Sequence, residues 1–117
     1  MCELVKTSNG VSVAAIKKTY IDNIIDNANS CKDLDKIILF GSSIRTNCTE
    51  ESDIDIAVFS KVAQAKFLAS KSFRDFMKKV YVYDFGQSYD VLFFKSDRDY
   101  KEPIFDEVMK GSVIYGN

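Results

Sequence analysis

Histidine is absent from this chain, and with it go the commonest general base, Ser-His-Asp and Cys-His catalysis, and every histidine-containing metal site. An enzyme built from this sequence works with carboxylates or lysines. No apolar run approaches the roughly 20 residues that a membrane span requires. The opening residues Met1-Cys2-Glu3-Leu4-Val5-Lys6 lack the basic-then-apolar layout of a secretory signal. Three cysteines, Cys2, Cys31 and Cys48, make an odd count without C-x-x-C spacing, which indicates neither a disulfide framework nor a zinc cluster. These absences predict a cytoplasmic protein with no membrane anchor. A basic excess is missing too. Sixteen Lys and Arg stand against seventeen Asp and Glu, whereas a protein that grips an extended nucleic acid carries a surplus of positive charge. The expected partner is a single nucleotide or another protein.

What is present suits one globular domain over residues 1–117. A hydrophobic share of 46% and a charged share of 28% are enough to close a core and rule out a disordered or collagen-like chain. Over about residues 12–29 the apolar positions Val13, Ile16, Tyr20, Ile21, Ile24, Ile25 and Ala28 recur in steps of three and four, which predicts an amphipathic helix. Lys36-Ile37-Ile38-Leu39-Phe40 is a short apolar run ending at Gly41, the pattern of a buried strand. Asp53-Ile54-Asp55-Ile56-Ala57-Val58-Phe59 alternates with the two-residue period of a second strand. Between Val62 and Val80 the spacing of Phe73, Phe76, Met77 and Val80 predicts another helix. Ser88 to Phe94 follows Gly86 as a third strand. Pro103 opens a last helix with Ile104, Phe105, Val108 and Met109 on its apolar face and Gly111 as its cap. Val113-Ile114-Tyr115 adds a short edge strand.

The chemistry concentrates in the second strand. Residues two apart on a strand face the same way, so Asp53 and Asp55 share one side while Ile54 and Ile56 point to the core. Adjacent carboxylates repel unless one takes a proton or a cation lies between them. Mg²⁺ is the natural cation, because it takes one or two carboxylates and completes its octahedron with water and substrate phosphates. Asp90, alone in the third strand, is the candidate third ligand. It would admit a second ion, and two ions about 3.5–4 Å apart can stabilise both the attacking and the leaving oxygen of a phosphoryl displacement. Asp84 competes with it if Tyr81-Val82-Tyr83 is read as strand, but the apolar run after Asp90 is longer. Upstream, Gly41 and Ser42 end a buried strand, where backbone N–H groups and a hydroxyl are free to hold phosphate. A short helix beginning at Ser43 and running to Asn47 would add positive potential there. Taken singly, each feature is a common one: a solvated strand face, or an ordinary turn.

The joint pattern is what discriminates. Leu39-Phe40-Gly41-Ser42, then Ser52-Asp53-Ile54-Asp55-Ile56-Ala57-Val58, then Tyr89-Asp90-Val91-Leu92 resembles the DNA polymerase β superfamily, in which a strand-ending Gly-Ser precedes an Asp-x-Asp and a third Asp. Within it the chain is similar to the minimal nucleotidyltransferases, over about residues 36–116 including Gly111-Ser112-Val113-Ile114-Tyr115. That resemblance implies an α+β nucleotidyltransferase fold, with a small mixed β-sheet of 3–5 strands packed against helices. It implies that Gly41 and Ser42, with Ser43 and Arg45 beside them, contact the phosphates of an NTP, most simply ATP. Asp53, Asp55 and Asp90 would be the catalytic and metal-binding carboxylates for two Mg²⁺ ions, with Mn²⁺ as a substitute. Family members commonly carry Arg-x-Arg-Gly after the Gly-Ser. Here the run is Ser43-Ile44-Arg45-Thr46, so Arg45 keeps one of the two basic positions.

Three functions fit. The first is transfer of a nucleoside monophosphate to a hydroxyl of a HEPN-type toxin partner, an antitoxin activity that the resemblance implies. The second is an antitoxin that neutralises its partner by contact alone. The third, a small-molecule nucleotidyltransferase of the aminoglycoside-resistance kind, would normally need a further helical domain.

Overall fold

The computed structural model describes residues 1–116. It begins with a hairpin in which β1 (Leu4–Lys6) pairs antiparallel with β2 (Ser12–Ala14). The turn closes through Gly10 N–H donating to Thr7 O at 3.0 Å and Val11 N–H donating to Thr7 Oγ1 at 3.0 Å. Gly10 takes φ +85°, a left-handed conformation that suits glycine. The helix expected from about residue 12 therefore starts later. β-Branched Val11 and Val13 favour extended backbone, and β1 supplies the pairing edge for it. A 3₁₀ turn, Ala15–Lys17, then leads into α1 (Lys18–Ala28), which buries Ile21, Ile24 and Ala28.

β3 (Lys36–Phe40) has the bounds its apolar run predicts, and β4 (Ile54–Ser60) starts one residue past Asp53. The helical stretch expected over Val62–Val80 is two helices, α2 (Gln64–Ala69) and α3 (Lys71–Tyr83). The break is at Ser70. Its extended backbone ends α2, and its hydroxyl accepts the Phe73 N–H at 3.2 Å, capping α3. Because α3 continues to Tyr83, Tyr81-Val82-Tyr83 is helical and Asp84 lies outside the sheet. The chain re-enters as β5 (Tyr89–Lys95), runs through α4 (Pro103–Met109), and closes with β6 (Ser112–Gly116). The four-stranded sheet has the order β5-β4-β3-β6, with β3 antiparallel to both neighbours and β4 parallel to β5. A parallel pair needs a long crossover, and α2 with α3 provides it.

The two faces of this sheet are covered unequally. On one, Ile37, Leu39, Ile54, Ile56, Val58 and Ile114 pack against α1 and against Phe73, Phe76, Met77 and Val80 of α3. On the other, Ile38, Phe40, Ala57, Phe59 and Phe94 gather around Val108 of the seven-residue α4. Of the apolar face expected for α4, Val108 is buried and Phe105 packs beside it, but Ile104 and Met109 are 46% and 49% exposed. Gly111 also serves differently from expectation. Its φ is not left-handed, and a Cβ there would collide with the Leu39 carbonyl oxygen, so glycine is needed for the close return of the chain to β3. Among the described residues, no helix is long and apolar enough to cross a membrane.

Candidate active site

Asp55 is the second residue of β4, Asp90 the second of β5, and the parallel register sets them opposite one another. Side chains of paired positions share a face, so the two carboxylates stand together on the side that α4 only partly covers. Across β4 the partner of Asp55 is Phe40, the last residue of β3. The next residue, Gly41, takes φ +73°, and a Cβ built on it would collide with Asp55 Oδ2 and lie 3.2 Å from Asp55 Cγ. Only glycine satisfies both demands: the left-handed turn, and backbone resting directly against a carboxylate.

Asp55 is half-buried, while Asp53 and Asp90 are exposed. Burial raises the Asp55 pKa from the ordinary 3.8 to about 6, helped by a hydrogen bond with the Asp90 carboxylate and by the negative charges of Asp90 and Asp53. Asp53 acts on Asp55 through charge alone, whereas Asp90 touches it. Among the described residues, no group of three or more acidic, histidine or cysteine side chains is already closed into a ligating arrangement. The donor set nevertheless suits a hard divalent cation. It consists of carboxylate oxygens, one of them held at a cost in charge repulsion that a cation would relieve.

The other residues singled out in the sequence lie differently. Gly41 to Ile44 forms a single 3₁₀ turn, with Ser42 half-buried in it. Arg45 is extended, so the helix considered for Ser43–Asn47 does not form, and one 3₁₀ turn carries little macrodipole. Ser43 is wholly buried and its hydroxyl has no hydrogen-bond partner among the described residues, which puts its side chain beneath the turn. Arg45 is ion-paired to Glu107 of α4 at 2.5 Å. The structure thus brings Gly41, Asp55 and Asp90 into contact, sets Asp53 close enough to act on Asp55 by charge, leaves Ser43 inside, and engages Arg45 elsewhere.

A cavity of about 330 Å³ opens beside the carboxylates, lined by Phe40, Asp55, Asp90, Val91, Leu92 and Ile104. Its apolar wall escaped the sequence reading, although the exposure of Ile104 is what makes it available. A larger cavity, about 490 Å³, lies at the far end of β4 and β5 beside Lys61, Lys95 and Arg98. Asp35 and Asp99 line it as well, but among four basic side chains (Lys36, Lys61, Lys95 and Arg98) rather than paired across a strand register, and chemistry rather than size decides between the two.

A family model described as "Polymerase beta, Nucleotidyltransferase" matches residues 22–117, and its span includes Gly41, Asp53, Asp55 and Asp90. The chain belongs to this family. The match begins inside α1. A similar solved structure is a chain from the tri-AMPylated Shewanella oneidensis HEPN toxin in complex with MNT antitoxin. The likeness has a TM-score of 0.52 at 19% identity, over 86% of this chain and 73% of that one, and it shows the shared fold. No curated protein matches the chain.

Proposed function

We propose that this protein is a Mg²⁺-dependent nucleotidyltransferase that moves a nucleoside monophosphate from an NTP, most simply ATP, to a hydroxyl on a partner protein. The observation that carries the reading is the registered contact of Asp55 with Asp90 against the backbone of Gly41. Gly41 and Ser42 hold the phosphate chain beside Asp55, whose close approach the missing Cβ of Gly41 permits. Asp53, Asp55 and Asp90 hold Mg²⁺, or Mn²⁺ in its place. When bound, the cations neutralise charge on the phosphates and on the leaving pyrophosphate. The acceptor oxygen forms a bond to the α-phosphorus, the α–β bridging bond breaks, and pyrophosphate leaves. Asp90, the more exposed of the touching pair, takes the acceptor's proton. Leu92 and Ile104 offer an apolar wall to the nucleoside.

The acceptor is a HEPN-type protein, and this chain is the antitoxin of the pair, acting in the cytoplasm. Support comes from family membership and from the fold shared with a complex whose toxin is AMPylated. The test is incubation with labelled ATP, Mg²⁺ and a co-encoded HEPN-type protein. Label should pass to that protein and should stop with Asp53→Asn combined with Asp55→Asn; label that persists in the double variant overturns the reading. A second reading, neutralisation by contact alone, draws on the Arg45–Glu107 pair, which occupies the one basic group left beside the Gly-Ser turn. Under it the double variant would still silence its partner in cells.

A further inference from the structure

Lys17 is 1% exposed, yet among the described residues it has no carboxylate partner. Removing an ammonium from water is costly unless its donors are satisfied, and here they are spent on two neutral acceptors. Lys17 Nζ donates to Gln87 Oε1 at 2.7 Å and to Glu50 O at 3.0 Å. Gln87, itself 8% exposed, passes the connection on. Its Nε2 donates to Ser52 O at 3.1 Å and to Ser88 O at 2.8 Å. Ser88 O also accepts the Ile54 N–H at 3.0 Å.

The positions of these carbonyls are the point. Ser52 immediately precedes Asp53, Ile54 separates Asp53 from Asp55, and Ser88 stands two residues before Asp90. Residues from three distant parts of the chain therefore meet where β4 and β5 begin. We propose that Lys17 and Gln87 form a buried clamp that positions the three carboxylates, with Gln87 as the bridge and Lys17 as its electrostatic anchor. Drawing the Gln87 oxygen toward the ammonium polarises the amide and strengthens its two N–H donations. The clamp fixes the backbone on both sides of Asp53 and the entry to β5, while neither side chain touches the acidic groups. These are positioning residues, and their role in catalysis rests on the nucleotidyl-transfer reading.

Gln87→Glu is the discriminating substitution. It keeps an oxygen for Lys17 and even adds a charge to the pair, but it removes both N–H donations. Hydrogen exchange at the Ile54 amide should speed at least tenfold, about 1.4 kcal/mol of local opening, while Ile38 and Val58 keep their protection and the melting temperature holds. Calorimetric binding of Mn²⁺ with ATP should weaken by a similar factor, with kcat falling and the KM for the acceptor unchanged. Lys17→Met gives the same pattern and serves if Gln87→Glu fails to fold. Unchanged Ile54 exchange, or faster exchange with Mn²⁺ and ATP bound as tightly as before, overturns the clamp. If the unaltered protein binds no Mn²⁺ with ATP, the nucleotidyl-transfer reading falls, and the exchange arm alone decides whether the clamp holds the strand starts.

Discussion

At the start of β4, neighbouring residues lead opposite lives. Ile54, Ile56 and Val58 are wholly buried beneath α1 and α3, whereas Asp55, on the other face, is half-open and pressed against a second carboxylate. The buried face holds the strand with apolar area. The open face can then tolerate charge repulsion that an unsupported strand would relieve by moving apart. Stability and chemistry are thus separated by one residue step rather than by domain.

The sharpest break in that comparison is Asp55→Asn. Transfer should fall by at least about 1000-fold, roughly 4 kcal/mol of transition-state stabilisation, in a labelled-ATP assay. Stability should move the other way. A carboxyl whose folded pKa of about 6 exceeds its unfolded 3.8 binds its proton more tightly when folded, so the metal-free protein loses stability as pH rises across that interval. Thermal melts of Asp55→Asn should therefore exceed those of the unaltered protein above pH 6, with the gap closing below about pH 4. Protons also compete with metal, so Mn²⁺ affinity should drop as pH falls below 6.

Next in size, Ile56→Ala should cost about 2–5 kcal/mol of stability in denaturant melts, by loss of buried methylene groups and by the cavity left. Its affinity for Mn²⁺ with ATP should hold wherever it remains folded. Gly41→Ala and Gly10→Ala form an instructive pair. Both residues have positive φ, but nothing lies within 4 Å of a Cβ at Gly10, while one at Gly41 meets Asp55. Each substitution should cost about 1–2 kcal/mol from backbone strain. Only Gly41→Ala should weaken nucleotide binding in calorimetry, by roughly tenfold, about 1.4 kcal/mol. The smallest effect belongs to Ser43→Ala. Deleting a buried hydroxyl without a partner should leave stability equal or raise it by about 1 kcal/mol, with nucleotide affinity unaltered.

Much of this was legible in the chain. Lys36–Phe40 is a strand with its predicted bounds, because a short run of branched and aromatic residues ending in glycine has few other outcomes. The pairing of Asp55 with Asp90 could be anticipated because each stands near the start of an apolar strand, and a resemblance resting on several motifs together pointed to both. Other features left traces that went unread. Asn9-Gly10 is a hairpin signal, but it competes with the helical spacing that begins at Val13. Stepping back from Ile21, Ile24 and Ala28 by the helical repeat lands on Lys17, so its burial was written in the periodicity, though lysine at that point suggests the surface. Gln87 and the Arg45–Glu107 pair left no such trace. Each depends on where distant segments dock, and no local rule couples residue 45 to α4 or residue 17 to a turn before β5.

The parallel pairing of β4 with β5 has a last consequence, for how this domain can change length. Insertions in the helical crossover can be absorbed in solvent, since they leave the alignment of the two strands untouched. One residue added between Ser88 and Tyr89 cannot. It would slide β5 by a single place and turn Tyr89 toward Asp55 while Asp90 rotated into the apolar interior. The spacing that matters here is counted in rungs of the ladder rather than along the polypeptide.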